Sequence, residues 1–140
     1  MNSSNLAVLE NLSPRSERLG SGRSFVLIIE DDRFSAVALS MLLDDWGYDS
    51  IAVNSAGEAI ERLGGQIVNI SAIVTDFQIS GEYSGIRDTA ALISAIGRSV
   101  PAIVTTGYAD LAVKTANFPV LRKPFEPESL RAWLNIKNLF

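Results

Sequence analysis

Residues 25–32 read Phe-Val-Leu-Ile-Ile-Glu-Asp-Asp, five apolar side chains followed without transition by three acids. A strand with one face in water alternates apolar with polar residues. An unbroken apolar run belongs to a strand covered on both faces, as in a parallel sheet sandwiched between helices. The acids mark its carboxyl end. Downstream, Phe34, Val37, Ala38, Met41, Leu42 and Trp46 recur at helical spacing, and Gly47 supplies a helix stop.

The same strand-then-helix alternation continues to the end of the chain. Ser50–Val53 reads as a second strand, and Ser55 with Glu58 is a capping-box signature for a helix that ends at Gly64-Gly65. Ala72–Val74 is a third strand, closing on Thr75-Asp76, and a helix over 85–97 follows it. Val100–Thr105 is a fourth strand, with Pro101 tolerable at its start. A short helix around Ala109–Thr115, a strand at Phe118–Leu121 and a helix opened by Pro127 complete the pattern. Five βα units predict an α/β doubly wound, five-stranded parallel sheet. Right-handed crossovers gather all the strand carboxyl ends on one edge, where such sheets hold their ligands.

Upstream, residues 1–23 are rich in Ser, Asn, Arg and Gly, and read as a flexible leader before a domain spanning 24–140. Leu6, Leu9 and Leu12 stand at helical spacing, so a short docking helix is the competing reading. Composition narrows the chemistry. With 12 basic against 16 acidic residues and a pI near 4.8, no basic surplus serves nucleic-acid binding. There is no Cys and no His, which removes disulfides, thiolate and imidazole metal ligands, and imidazole acid–base catalysis. No apolar run reaches the length of a membrane span and no signal-peptide core is present, so no membrane role and a cytoplasmic location are expected.

The polar residues of interest fall at strand ends: Glu30, Asp31 and Asp32 after the first, Asp76 at the third, Thr106 after the fourth, Lys123 after the fifth. With strand order 2-1-3-4-5, the first and third strands adjoin, and Glu30, Asp31 and Asp76 share one pocket. Two unit charges 4 Å apart repel by about 4 kcal/mol at an effective dielectric near 20. Crowded carboxylates are relieved by a raised pKa or by a cation, and an all-oxygen donor set suits Mg²⁺. A carboxylate beside Mg²⁺, a Lys and a hydroxyl is equipped to attack phosphorus. Taken singly, each residue has a plainer reading. Acids after a strand complement a helix dipole, Asp76 is a turn or cap residue, Thr106 a turn hydroxyl, and Lys123 a solvated lysine.

The segments VLIIEDD, IVTD ending at Asp76, IVTTG at 103–107 and RKPF at 122–125 resemble, in order and nearly in spacing, the signatures of response-regulator receiver domains. The resemblance covers about residues 24–138 and implies the flavodoxin-like receiver fold. It implies that Asp76 is the phosphoacceptor in a two-component phosphorelay. Asp31, Glu30, Asp76 and the backbone carbonyl of Gln78 would hold Mg²⁺, with no other cofactor. Thr106 would bond a phosphoryl oxygen and Lys123 would pair with the phosphate. Asp32 is read as a helix cap, and Lys123–Pro124 corresponds to a bond that is cis in the family. The implied donor is a histidine kinase or histidine phosphotransfer protein. The chain would be no enzyme beyond its own aspartyl phosphorylation and dephosphorylation, with output through a protein partner or as a phosphate sink, and a homodimer left open.

The sequence also departs from the family. Ser80 stands where Pro is frequent, and Ile79–Ser84 runs one residue longer than usual before Gly85. Only 16 residues separate Thr106 from Lys123, so the intervening helix is expected to be short or irregular. Val120 occupies the position of a rotating switch aromatic, so the usual coupling to the distal face is not available. Gln78 and Tyr108 are expected to tune phosphate lifetime. Two other readings compete. One is a pseudo-receiver that binds a partner without phosphorylation. The other is a phosphohydrolase with an aspartyl-phosphate intermediate, disfavoured because Gln78, where its acid–base carboxylate belongs, transfers no proton.

Overall fold

The computed structural model describes residues 22–78, 85–107 and 118–137. The leader up to residue 21, the 79–84 loop with Ser80, and the expected 109–115 helix with Tyr108 lie outside the described residues. Strands β1 (Phe25–Ile29), β2 (Asp49–Val53), β3 (Ile70–Asp76), β4 (Ala102–Thr106) and β5 (Val120–Arg122) form one sheet in the order β2-β1-β3-β4-β5. All four pairings are parallel. Helices α1 (Arg33–Asp45), α2 (Ala56–Leu63), α3 (Gly85–Ile96) and α4 (Pro127–Ile136) are described between and after them.

The opening run explains the layering. All five residues of β1 are buried. Successive side chains of a strand point to opposite faces. Leu27 and Ile29 therefore join one core with Ile51, Val53, Ala59 of α2 and Leu92 of α3. Val26 and Ile28 join the other, with Leu43 of α1 and Leu130 and Leu134 of α4. Each fully buried aliphatic side chain contributes roughly 1.5–3 kcal/mol over an exposed one, which is why no polar residue interrupts the run.

Helix α1 is bounded by side-chain and backbone devices. Asp32 is its N-cap, accepting from the Ser35 N–H at 3.0 Å. At the other end Tyr48 N–H donates to Leu43 O (2.9 Å) and Gly47 N–H to Asp44 O (3.0 Å), a Schellman arrangement with Gly47 at φ 97°. Arg23, assigned to the leader by composition, locks this turn. Its guanidinium donates to the carbonyls of Gly47 (2.7 Å), Asp44 (3.0 Å) and Tyr48 (2.9 Å), and lies 3.5 Å from the buried Asp49 carboxylate.

The apolar residues that mark α1 in sequence do not all serve the core. Phe34, Val37 and Met41 are 86%, 51% and 68% exposed, whereas Ala36 and Leu43 are buried, with Leu39 and Trp46 packed on the same cluster. A 3-10 turn over Gly64–Asn69 follows α2 where the glycine pair predicts only a stop. At the expected capping box the Glu58 N–H donates to Ser55 Oγ at 3.1 Å, while the Glu58 carboxylate reaches one residue farther back and accepts the Asn54 N–H.

Candidate functional site: an acidic pocket at the strand ends

The pocket is built from the carboxyl ends of β1, β3, β4 and β5. Glu30 extends the ladder one residue past β1, its N–H donating to Val53 O at 2.9 Å, and is only 8% exposed. Its position is thus set by sheet pairing, while the following Asp31 is exposed. Asp76 is the last residue of β3 and pairs with Thr105 on β4. Thr106, buried, ends β4 one step farther out and pairs with Arg122. Lys123 follows directly, its N–H donating to Thr106 O at 2.6 Å. The Lys123–Pro124 bond is cis.

These elements bring Glu30, Asp31 and Asp76 together, each offering a carboxylate oxygen within 4.8 Å of the others. Lys123 Nζ lies 3.2 Å from Asp76 Oδ1 and 3.5 Å from Glu30 Oε1. The other Glu30 oxygen, Oε2, accepts the Asp32 N–H at 3.0 Å. Burial pushes the Glu30 carboxyl above its ordinary range, and the neighbouring Asp76 and Asp31 charges add to the rise; the Asp32 N–H and the Lys123 ammonium oppose it. Asp32 moves the opposite way, held low by the Ser35 hydroxyl and then by the Ser35 N–H. It is spent on capping α1 and stands outside the three-carboxylate cluster, as its reading as a cap requires.

Gln78 is half-buried two residues beyond Asp76, and Val120 opens β5 at 38% exposure. Sequence reasoning missed two features. Lys123 bridges Glu30 as well as Asp76, a consequence of strand order that spacing alone does not display. Gly85, read only as the start of a helix, packs against the peptide that follows Asp76.

The donor set fits a hard divalent cation. Three carboxylates without nitrogen or sulfur ligands favour Mg²⁺ over transition metals. Among the described residues, the Lys123 ammonium stands against the cluster formed by Glu30, Asp31 and Asp76, and one positive charge only partly offsets three carboxylates.

The family model for the response regulator receiver domain matches residues 26–135. The transcriptional regulatory protein ZraR of Escherichia coli K12 is 29% identical over 114 residues, covering 78% of this chain but only 25% of its own length. The chain thus spans about a quarter of that relative. Among solved structures, a response regulator receiver protein from Sinorhizobium medicae WSM419 superposes with TM-score 0.71 at 24% identity, covering 83% of this chain and 94% of that one. A receiver domain protein from Clostridium thermocellum gives TM-score 0.69 at 23% identity, covering 81% and 93%. These likenesses attest the fold, and the family match extends over most of the chain, including every strand end that contributes to the acidic pocket. The chain belongs to the response regulator receiver domain family.

Proposed function

We propose that the chain is a phospho-accepting receiver in which Asp76 takes a phosphoryl group from a phosphohistidine on a partner kinase or phosphotransfer protein. The observation that carries this reading is the placement of Asp76 between a carboxylate cluster and the Lys123 ammonium, at the edge where parallel sheets hold ligands. A carboxylate oxygen of Asp76 attacks phosphorus in line with the departing imidazole nitrogen. The O–P bond forms, the N–P bond breaks, and the nitrogen keeps its electron pair.

Glu30, Asp31, Asp76 and the Gln78 carbonyl would hold Mg²⁺, which supplies positive charge to offset that of the incoming phosphoryl oxygens. Lys123 moves its charge from carboxylate to phosphoryl oxygen as the acyl phosphate forms. The Thr106 hydroxyl donates to another phosphoryl oxygen. With Val120 at the start of β5, a ring rotation is not the route by which phosphorylation reaches a partner.

Radiolabel from a phosphorylated histidine donor should appear on the wild-type chain with Mg²⁺ present and vanish in Asp76→Asn. Equal labelling of that variant sinks the assignment.

A further inference from the structure

Gly85 is buried at the first position of α3, and its surroundings leave no room for a side chain. A Cβ built there overlaps the carbonyl oxygen of Asp76 and comes to 2.9 Å from the Asp76 carbonyl carbon and 3.0 Å from Phe77 O. Real Cβ atoms do not make such contacts with backbone, and backbone, unlike a flexible side-chain end, yields only by moving the strand or the helix.

The approach is fixed from both directions. The Gly85 N–H donates to Phe77 O at 3.1 Å, and the Gly85 carbonyl accepts from the hydroxyl of the fully buried Thr89 at 2.8 Å. On the other side the Phe77 N–H donates to Thr105 O at 2.8 Å, and the Phe77 side chain is buried against Val104. The peptide after Asp76 is therefore held between β4 and α3.

We infer that Gly85 is a positioning residue for the metal-binding edge of the pocket: by allowing α3 to seat on the Asp76–Phe77 peptide, it sets the direction in which the Asp76 carboxylate and the Gln78 carbonyl are presented. This rests on the proposed role of Asp76 and Gln78 as Mg²⁺ ligands. Groups that orient ligands from behind are worth roughly 10- to 100-fold in metal affinity.

The test compares Gly85→Ala with Gly57→Ala in the full chain. The latter is a control, because a Cβ at Gly57 meets nothing closer than 3.8 Å. Calorimetric titration with Mg²⁺ should give a Kd raised roughly 10- to 100-fold for Gly85→Ala and unchanged for Gly57→Ala. Labelling by a small acyl phosphate should fall in Gly85→Ala at low Mg²⁺ and recover at saturating Mg²⁺, a rescue that a general loss of structure does not give. A folded Gly85→Ala chain with wild-type Mg²⁺ affinity overturns the inference. If that variant does not fold, wild-type amide resonances followed through a Mg²⁺ titration decide instead. The Gly85 amide should shift with the same midpoint as that of Gln78, and a Gly85 signal that stays fixed while Gln78 moves overturns it. A wild-type chain that binds no Mg²⁺ overturns the reading of the pocket itself, and this inference with it.

Discussion

Lys123 Nζ stands 3.2 Å from Asp76 Oδ1, joining the residue after β5 to the last residue of β3 across the whole width of β4. The contact places the Lys123 ammonium against the carboxylate proposed to attack phosphorus. Lys123→Met should cut the rate of Asp76 phosphorylation by roughly 10²-fold, the scale for removing a preorganised charge partner of developing anionic oxygen. The lysine side chain is 35% exposed but Glu30 and Asp76 are only 8% and 13% exposed, so stability should fall as well, by less than a fully buried pair would cost. Phosphorylation kinetics and urea unfolding on the same variant separate the two effects, and a folding loss as large as the activity loss counts against this assignment.

Glu30 makes the metal-free protein sensitive to pH in a defined sense. Its folded pKa is raised, chiefly by burial, so the folded chain holds the proton more tightly than the unfolded one. The associated stability is full below the ordinary value of 4.5 and is lost as pH rises through the folded value. Glu30→Gln should remove that decline. Urea midpoints of wild type and variant, measured without metal from about pH 4 to about pH 8, should diverge upward in favour of the variant. Parallel profiles exclude Glu30 as the source.

Asp31 and Asp32 are adjacent acids, one in the carboxylate cluster and proposed to hold Mg²⁺, the other capping α1. Asp31→Asn should weaken Mg²⁺ binding and diminish the rise in thermal midpoint that Mg²⁺ produces. Asp32→Ala should lower the midpoint by loss of the α1 cap while leaving Mg²⁺ affinity intact, and Asp32→Ser should restore the midpoint. Since Asp32 is held low, its contribution is present above 3.8 and disappears as pH falls through its folded value. Loss of Mg²⁺ affinity in Asp32→Ser contradicts the division.

Arg23 should behave as part of the domain. Arg23→Met removes three hydrogen bonds to carbonyls at the end of α1, a fourth to the Asp44 carboxylate and an ion pair to the buried Asp49, and should cost about 3 kcal/mol in urea unfolding. A chain beginning at Ser24 should lose about as much, and one beginning at Gly22 should not. Equal midpoints for the two truncations disprove the clamp.

The sheet was legible because burial on both faces writes an unbroken apolar run, and because the run at 25–29 stops abruptly at acids. Asp76, Lys123 and the acids could be read from strand ends for the same reason. The orientation of α1 could not. Phe34, Val37 and Met41 satisfy helical spacing as well as Leu39, Leu43 and Trp46 do, and only the seating of the helix on β1 and β2 decides which set enters the core. Gly85 was hidden for another reason: a glycine at the start of a helix does not say which backbone it lies against. The turn over Gly64–Asn69 was masked by the glycine pair, which reads as an ending although the chain continues to coil.

The five strands do not support the pocket equally. Glu30 and Asp76 are carried by β1 and β3, which have neighbours on both sides and feed both cores. Lys123 is carried by β5, three residues long, with no buried residue and, among the described residues, paired on one side only. Mechanically the site is a vice with one jaw cast into the frame and the other bolted to its rim. Displacing the rim breaks few contacts, whereas displacing the frame breaks the cores. If Asp76 changes charge as proposed, β5 is therefore the part of the pocket that should yield first, and β1 and β3 the part that should hold.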